Sequence, residues 1–279
     1  MMTMSLTRTI CIALLILCVL TGTAGAASKT LTDDKLVFGI LPSRSTVNMF
    51  KRFAPLRDYL SKELHRTVIF ETAPDYDIFL QRSKQRKYDF ILTAPHFALM
   101  TLDTGKYEVS ATYQEPLSAV LLVHKQSDIM QLNDLVNRSI ATPPQQAIIT
   151  MAGKFYLDNA NLPGRPQYIL TRTHSASLHA MLSKETDAAI VSSNVSRHAI
   201  NKKMPVRILS QSPEIPGMAL LVAGDLPAGL REKFGKLLIN MHKNAKGRHI
   251  LKQMNYPGYR KASRQDFEPV RPLLDKYWK

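Results

Sequence analysis

Residues 35–46 read Lys35-Leu-Val-Phe-Gly-Ile-Leu-Pro-Ser-Arg-Ser-Thr46, and this stretch decides the fold class. Leu36 to Leu41 is an apolar run without alternation, and it stops at Pro42 and Ser43. Such a run suits a strand buried on both faces, as in a parallel sheet. Beyond Ser43–Thr46, Val47, Phe50, Phe53, Leu56, Tyr59 and Leu60 recur mostly three or four residues apart. That is the period of an amphipathic helix. A buried strand, a polar turn and a helix form the opening half of a strand–helix–strand unit.

The unit continues downstream. Thr67–Thr72 reads as a strand, Asp75–Gln85 as a helix capped by Asp75, and Tyr88–Thr93 as a third strand before a helix opened by Pro95-His96. The same order then returns. Ser139–Thr142 is a strand, and Pro143-Pro144-Gln145-Gln146 opens a helix reaching Asp158. Gln167–Thr171 is a strand, His174–Lys184 a helix, and Asp187–Val191 a strand ending in Ser192-Ser193-Asn194. Tyr88-Asp89 before the third strand of the first round matches Thr186-Asp187 in the second. The alternation predicts an α/β protein of two doubly wound lobes. Pro116–His124 and Pro216–Ala223 are extended segments that can cross between them, as a two-strand hinge. Residues 34–118 and 213–279 would form the first lobe and 119–212 the second, with the mostly helical remainder after Leu226 folding back on the first.

The N-terminal stretch carries no fold information. Arg8 precedes an apolar run from Ile10 to Leu20, and Ala24-Gly25-Ala26 fits a small-x-small cleavage site. Residues 1–27 are expected to be a secretory signal peptide and the mature chain periplasmic. The run is shorter than the roughly 20 residues that span a bilayer. Both cysteines, Cys11 and Cys18, fall inside this leader. The mature chain then has no disulfide, no Cys nucleophile and no Cys-ligated metal. The net charge is +15, and +14 without Arg8. Its lysines and arginines are spread along the chain, and export argues against nucleic acid, so the sign favours a small anionic ligand.

In open α/β sheets, ligands bind beyond the carboxyl ends of the strands. The turns there carry Ser43, Ser45, Tyr76, Thr93, His96, Gln145, Gln146, His174 and Asn194, the candidate ligand-binding residues. Hydroxyls, amides and helix N-termini can cradle an anion without a fixed positive charge, although the same residue types also cap helices. His174 and His179 are five residues apart, on different faces of a helix, and no His-x-x-x-His pair exists. No metal and no cofactor is expected. There is no Gly-x-Ser-x-Gly elbow, no phosphate loop and no dinucleotide fingerprint, which favours binding over turnover.

Phe38-Gly-Ile-Leu-Pro42, Pro55-Leu56 with Tyr59-Leu60, Ala73-Pro-Asp-Tyr76 and Tyr88-Asp89 carry a family likeness. So do Leu132-Asn-Asp-Leu135, Thr173-His174, Asp187-Ala-Ala, Ser212-Pro-Glu-Ile-Pro-Gly217 and the tail from Asn244 to Tyr259. Through these, the chain resembles the PhnD-like periplasmic substrate-binding proteins of phosphate, phosphite and phosphonate ABC transporters. The resemblance implies the type II periplasmic-binding fold and an ABC permease in the inner membrane as partner. It further implies that Tyr76 reaches the ligand and that His174 binds the phosphonate group. The family's Ser-Thr-Ser grip is replaced by Gln145-Gln146-Ala147, a family tyrosine by Thr93, and two acidic positions that hold an ammonium by Asn194 and Met218. 2-Aminoethylphosphonate is therefore not the expected ligand; phosphate, phosphite, an alkylphosphonate or a small carboxylate is. The same clamp, expected as a monomer, could instead signal to a membrane histidine kinase.

Overall fold

The apolar run at Lys35–Ile40 forms β1, flanked in parallel by β2 (Thr67–Glu71) and β3 (Phe90–Thr93). The computed structural model describes residues 35–43 and 46–278. The expected leader and Ser45 lie outside the described residues. Helix α1 (Thr46–Leu64) joins β1 to β2, α2 (Tyr76–Lys84) joins β2 to β3, and α3 (Pro95–Leu102) follows β3. The second round gives β6 (Ser139–Thr142), α4 (Ile148–Asp158), β7 (Gln167–Leu170), α5 (His174–Leu182), β8 (Ala188–Ser192) and α6 (Ser193–Asn201).

Two mixed sheets result, one per lobe. The first runs β11 (Tyr259–Arg260), β4 (Tyr107–Tyr113), β10 (Ala219–Ala223), β3, β1, β2, and the second β7, β6, β8, β5 (Ala119–His124), β9 (Val206–Gln211). In both, three parallel strands are followed by a crossing strand that enters antiparallel. In the second lobe it is β5 (Ala119–His124), beside β8; in the first it is β10 (Ala219–Ala223), beside β3. The outer partners are β9 (Val206–Gln211) on β5 and β4 (Tyr107–Tyr113) on β10, with β11 (Tyr259–Arg260) beyond β4. Between the sheets, Leu117 and Ile215 pair their backbones in both directions, so the two crossings are tied to each other. The type of each element follows from its sequence. The position of β4 does not, because Tyr107-Glu-Val-Ser-Ala-Thr-Tyr113 has no uniform apolar run and was not read as a strand.

The matched aspartates explain why the halves look alike. The Asp89 carboxylate accepts the Val37 N–H of β1 at 2.8 Å, and the Asp187 carboxylate accepts the Ser139 N–H of β6 at 2.8 Å. The backbone returns each bond, Asp89 N–H to the Val37 carbonyl and Asp187 N–H to the Ser139 carbonyl. Arg86 and Arg138 pair with the two carboxylates. Each aspartate thus fixes the register of the third strand against the first. Gly39 is needed for a different reason: a Cβ there would stand 2.5 Å from the buried Tyr88 ring.

One face of the first sheet packs on α1, α7 (Ala228–Ile239) and α8 (Ala245–Met254). Its centre is aromatic: Phe90 stacks on Phe234 at 3.9 Å, and Phe38 meets both edge-on. A second apolar cluster holds Phe97 and Leu99 of the first lobe, Ile148 and Ile149 of the second, and Leu273 and Leu274 of α9 (Arg271–Tyr277).

The C-terminal segment reaches the second lobe as well as the first. Helix α9 packs on α4 of the second lobe as well as on α3. Tyr277 donates to Asp158 at 2.6 Å and Lys276 pairs with Asp158 at 2.8 Å. Buried Leu273 and Leu274 draw the helix into the seam between the lobes. Helix α4 begins at Ile148, not at Pro143. A proline disfavours helical backbone in the residue before it, so Pro143-Pro144 delays the helix. Ala147 closes a turn onto the Pro144 carbonyl instead, and the Thr150 hydroxyl donates to the Pro143 carbonyl at 3.0 Å.

Candidate functional site

The turns at the carboxyl ends of the two sheets enclose a cavity of about 370 Å³. Ser43, Tyr76, His96, Gln146, His174 and Asn194 all line it, as do Asn48, Thr173 and Ser192. Ser45 lies outside the described residues. Two candidates fall elsewhere. Thr93 is fully buried beneath the cavity wall at the end of β3, and Gln145 points its residue surface to solvent while its neighbour Gln146 faces inward. A separate depression of about 420 Å³, beside Glu232, Lys233 and Lys236 on α7, gathers none of these turns.

Helices α2 to α6 start around the site, as does α1, whose Asn48 lines it. Asp75 caps α2 by accepting from Ile78 N–H, and Thr173 caps α5 by accepting from Ala176 N–H. The starts of α3, α4 and α6, at Ala94, Ala147 and Ser192, have no side-chain cap, and all three residues line the cavity. The first N–H groups of a helix have no partner within it and carry the positive end of its dipole. Three such ends therefore meet one small space.

Among the described residues, no Asp, Glu, Lys or Arg lines the cavity. A cation lies behind one wall: Arg52 covers the Tyr256 ring at 4.6 Å and donates to the Met254 carbonyl. An anion held here is held by dipoles and neutral polar heads, and a ligand ammonium would find no carboxylate among these residues. Met218, at a position the resemblance marks as acidic, lines the cavity with its thioether. Leu41, Phe97, Leu117, Ile148, Ile149 and Val195 make the rest of the wall apolar.

His96 joins the lobes. From α3 it reaches the Gln146 carbonyl in the β6–α4 turn at 2.9 Å. A carbonyl only accepts, so Nε2 carries the proton. The ring is buried, stacks on Phe97 at 4.0 Å and meets the Trp278 edge. Burial drives its pKa down to about 3, against a smaller upward pull from the Gln146 carbonyl, so the imidazole is neutral. Burial also holds the Tyr76 phenol up at about 12.

Sequence reasoning missed Asn48, Tyr113 and Tyr256. Tyr113 ends β4, a strand it did not read, and Tyr256 follows Asn255, whose left-handed backbone (φ 55°) turns the chain after α8.

Comparison with known proteins decides the family. The model of the ABC transporter, phosphonate, periplasmic substrate-binding protein family matches residues 38–267. The chain belongs to this family. As a phosphonate-type binding protein it is 22% identical to the phosphonates-binding periplasmic protein of Escherichia coli (strain K12), over 86% of this chain and 76% of that one. Its fold matches PhnD1 of Prochlorococcus marinus (MIT 9301), solved with methylphosphonate, with a TM-score of 0.77 at 17% identity. That alignment covers 88% of this chain and 98% of the other. A binding component of a phosphonate ABC transporter from Pseudomonas aeruginosa matches with a TM-score of 0.72 at 18% identity, covering 86% and 85%. The phosphonate-type binding protein thus has the type II periplasmic-binding fold and serves an ABC transporter by binding, without catalysis.

Proposed function

We propose that the cavity captures a small phosphonate-type oxyanion with an apolar substituent, for delivery to an ABC permease in the inner membrane. The observation that carries this reading is the meeting of three uncapped helix starts in a cavity whose described lining is neutral and half apolar. The helix ends and the side chains of Ser43, Tyr76, His96, Gln146, His174 and Asn194 would face the oxyanion, and Met218 and Ile149 the alkyl group. The mature, monomeric protein would act in the periplasm after removal of residues 1–27. Residues 34–118 with 213–279 would move as one lobe against residues 119–212.

Calorimetry on the mature protein tests this with methylphosphonate, phosphate, phosphite, 2-aminoethylphosphonate and acetate. Tight binding of methylphosphonate and rejection of 2-aminoethylphosphonate are expected. Tight binding of the aminophosphonate, or of acetate alone, overturns the reading.

A further inference from the structure

Arg52 is a cation set into the rear of the cavity wall. From α1 it donates Nε–H to the Met254 carbonyl at 2.8 Å, and its guanidinium lies 4.6 Å from the centre of the Tyr256 ring. Tyr256 lines the cavity and Arg52 does not. Tyr113, another lining residue, meets Tyr256 at 4.4 Å between ring centres. Among the described residues, no carboxylate pairs with Arg52. The two acids of its own helix are engaged elsewhere, Asp58 with Arg57 and Glu63 with Lys246. Helix α8, which supplies the accepting carbonyl, has no acidic residue. Water can screen a charge so placed but cannot cancel it. The charge is also felt within the wall. Burial drives the Tyr113 and Tyr259 phenols up, and among the weaker influences on each is a downward pull from Arg52. Both rings are buried, so the field that reaches them crosses protein rather than solvent.

We propose that Arg52 is a specificity-determining residue: through Tyr256, its charge sets the Tyr113–Tyr256 wall against ligands that carry an ammonium and reserves it for the uncharged substituent of a phosphonate. This rests on the phosphonate reading of the cavity. The three uncapped helix starts, at Ala94, Ala147 and Ser192, serve the oxyanion, and the tyrosine wall contains none of them. The cavity of about 370 Å³ falls within the roughly 300–1,000 Å³ usual for small-molecule sites, which leaves room for a substituent larger than methyl. A bare aromatic face would attract an ammonium, but a ring already polarised by a guanidinium attracts a second cation less. The lack of a lining carboxylate only withholds attraction from an ammonium, whereas Arg52 repels it.

Other cations on the same elements do not supply this function. Arg57 pairs with Asp58 and lies over Phe70, and Lys246 pairs with Glu63 and lies over Tyr59. Arg260 of β11 pairs with Asp266. Lys51 precedes Arg52 but is exposed, and it serves as the control for a change in net charge alone.

The test is calorimetric titration, by competition where binding is weak, of propylphosphonate and 2-aminoethylphosphonate at one pH. The two ligands match in shape and differ by a methyl against an ammonium. Mature wild-type protein is compared with Arg52→Gln, Arg52→Lys and Lys51→Gln. The readout is the ratio of the two affinities within each protein, because structural damage to the wall alone would weaken both ligands without favouring the ammonium. Removal of the charge in Arg52→Gln, whose amide can still donate to Met254, should raise the relative affinity of 2-aminoethylphosphonate about fivefold. Arg52→Lys keeps the charge and should keep the wild-type ratio, and Lys51→Gln should keep it too. An unchanged ratio in Arg52→Gln, or an equal rise in Lys51→Gln, overturns the proposal and leaves the phosphonate reading intact. Binding of methylphosphonate without propylphosphonate does the same, since no substituent then reaches the wall. Should Arg52→Gln fail to fold, Asn255→Asp carries the test. Position 255 is exposed, lies between the two partners of Arg52, and has a left-handed backbone that aspartate tolerates. The added carboxylate offsets the guanidinium and should raise the ratio; an unchanged ratio overturns the proposal. Failure of every phosphonate to bind the wild-type protein overturns the phosphonate reading and the proposal together.

Discussion

Tyr277 donates its phenolic hydrogen to Asp158 across 2.6 Å, joining the last helix of the chain to the first helix of the second lobe. Desolvation pushes the Asp158 carboxyl upward, but hydrogen bonds from Lys276 and Tyr277 outweigh it and hold the group below its usual value. The contribution of this contact is therefore complete above the unfolded carboxyl pKa, near 4, and is lost as pH falls through the lower folded value. Partial exposure limits the ion-pair share to about 0–1 kcal/mol. Asp158→Ala should speed hydrogen exchange in residues 271–278 at neutral pH, and wild-type exchange there should rise only below about pH 4. Unchanged exchange in the variant would show that Leu273 and Leu274 hold the helix unaided.

Tyr76→Ala and His174→Ala should each weaken methylphosphonate binding by on the order of tenfold or more, with little change in Tm, because both side chains line the cavity and are only half-buried. Gln145→Ala should leave affinity unchanged, since Gln145 faces solvent. A loss at Gln145 equal to that at His174 would mean that the β6–α4 turn grips ligand in another arrangement. Calorimetry with thermal unfolding reads both quantities.

Met218→Asp puts a carboxylate on the cavity wall where the wild-type protein has a thioether. Binding of 2-aminoethylphosphonate should appear, and methylphosphonate should weaken through repulsion between like charges. If neither ligand changes, Met218 does not face the ligand.

Gly39→Ala drives a methyl into the Tyr88 ring, which is buried and stacked on Phe79. Overpacking of this kind costs about 1–3 kcal/mol. A lower urea midpoint with unchanged slope would show it; an unchanged midpoint would mean the ring can move aside.

The repeated half-lobes were legible because each strand is a dense apolar run closed by proline or polar residues, and each helix keeps its period. The match of Asp89 with Asp187 was visible as position, and the structure supplies its cause in the bonds to Val37 and Ser139. What stayed hidden depends on distant partners. β4 is a strand because β10 and β11 flank it, and its own alternation is weak. Tyr113 and Tyr256 reach the cavity from segments far apart in sequence. Gln145 and Gln146 are chemically identical neighbours, and only the turn closed by Pro144 and Ala147 separates the solvent-facing one from the one facing the cavity.

The uncapped starts of α3, α4 and α6 also divide the labour between surface and cavity. Peptide dipoles do not titrate, and inside a closed cleft added salt screens them little. The net charge of +15 is different, because it acts through solvent on an approaching anion and fades as ionic strength rises. Salt should therefore slow the arrival of ligand and leave its residence time nearly untouched.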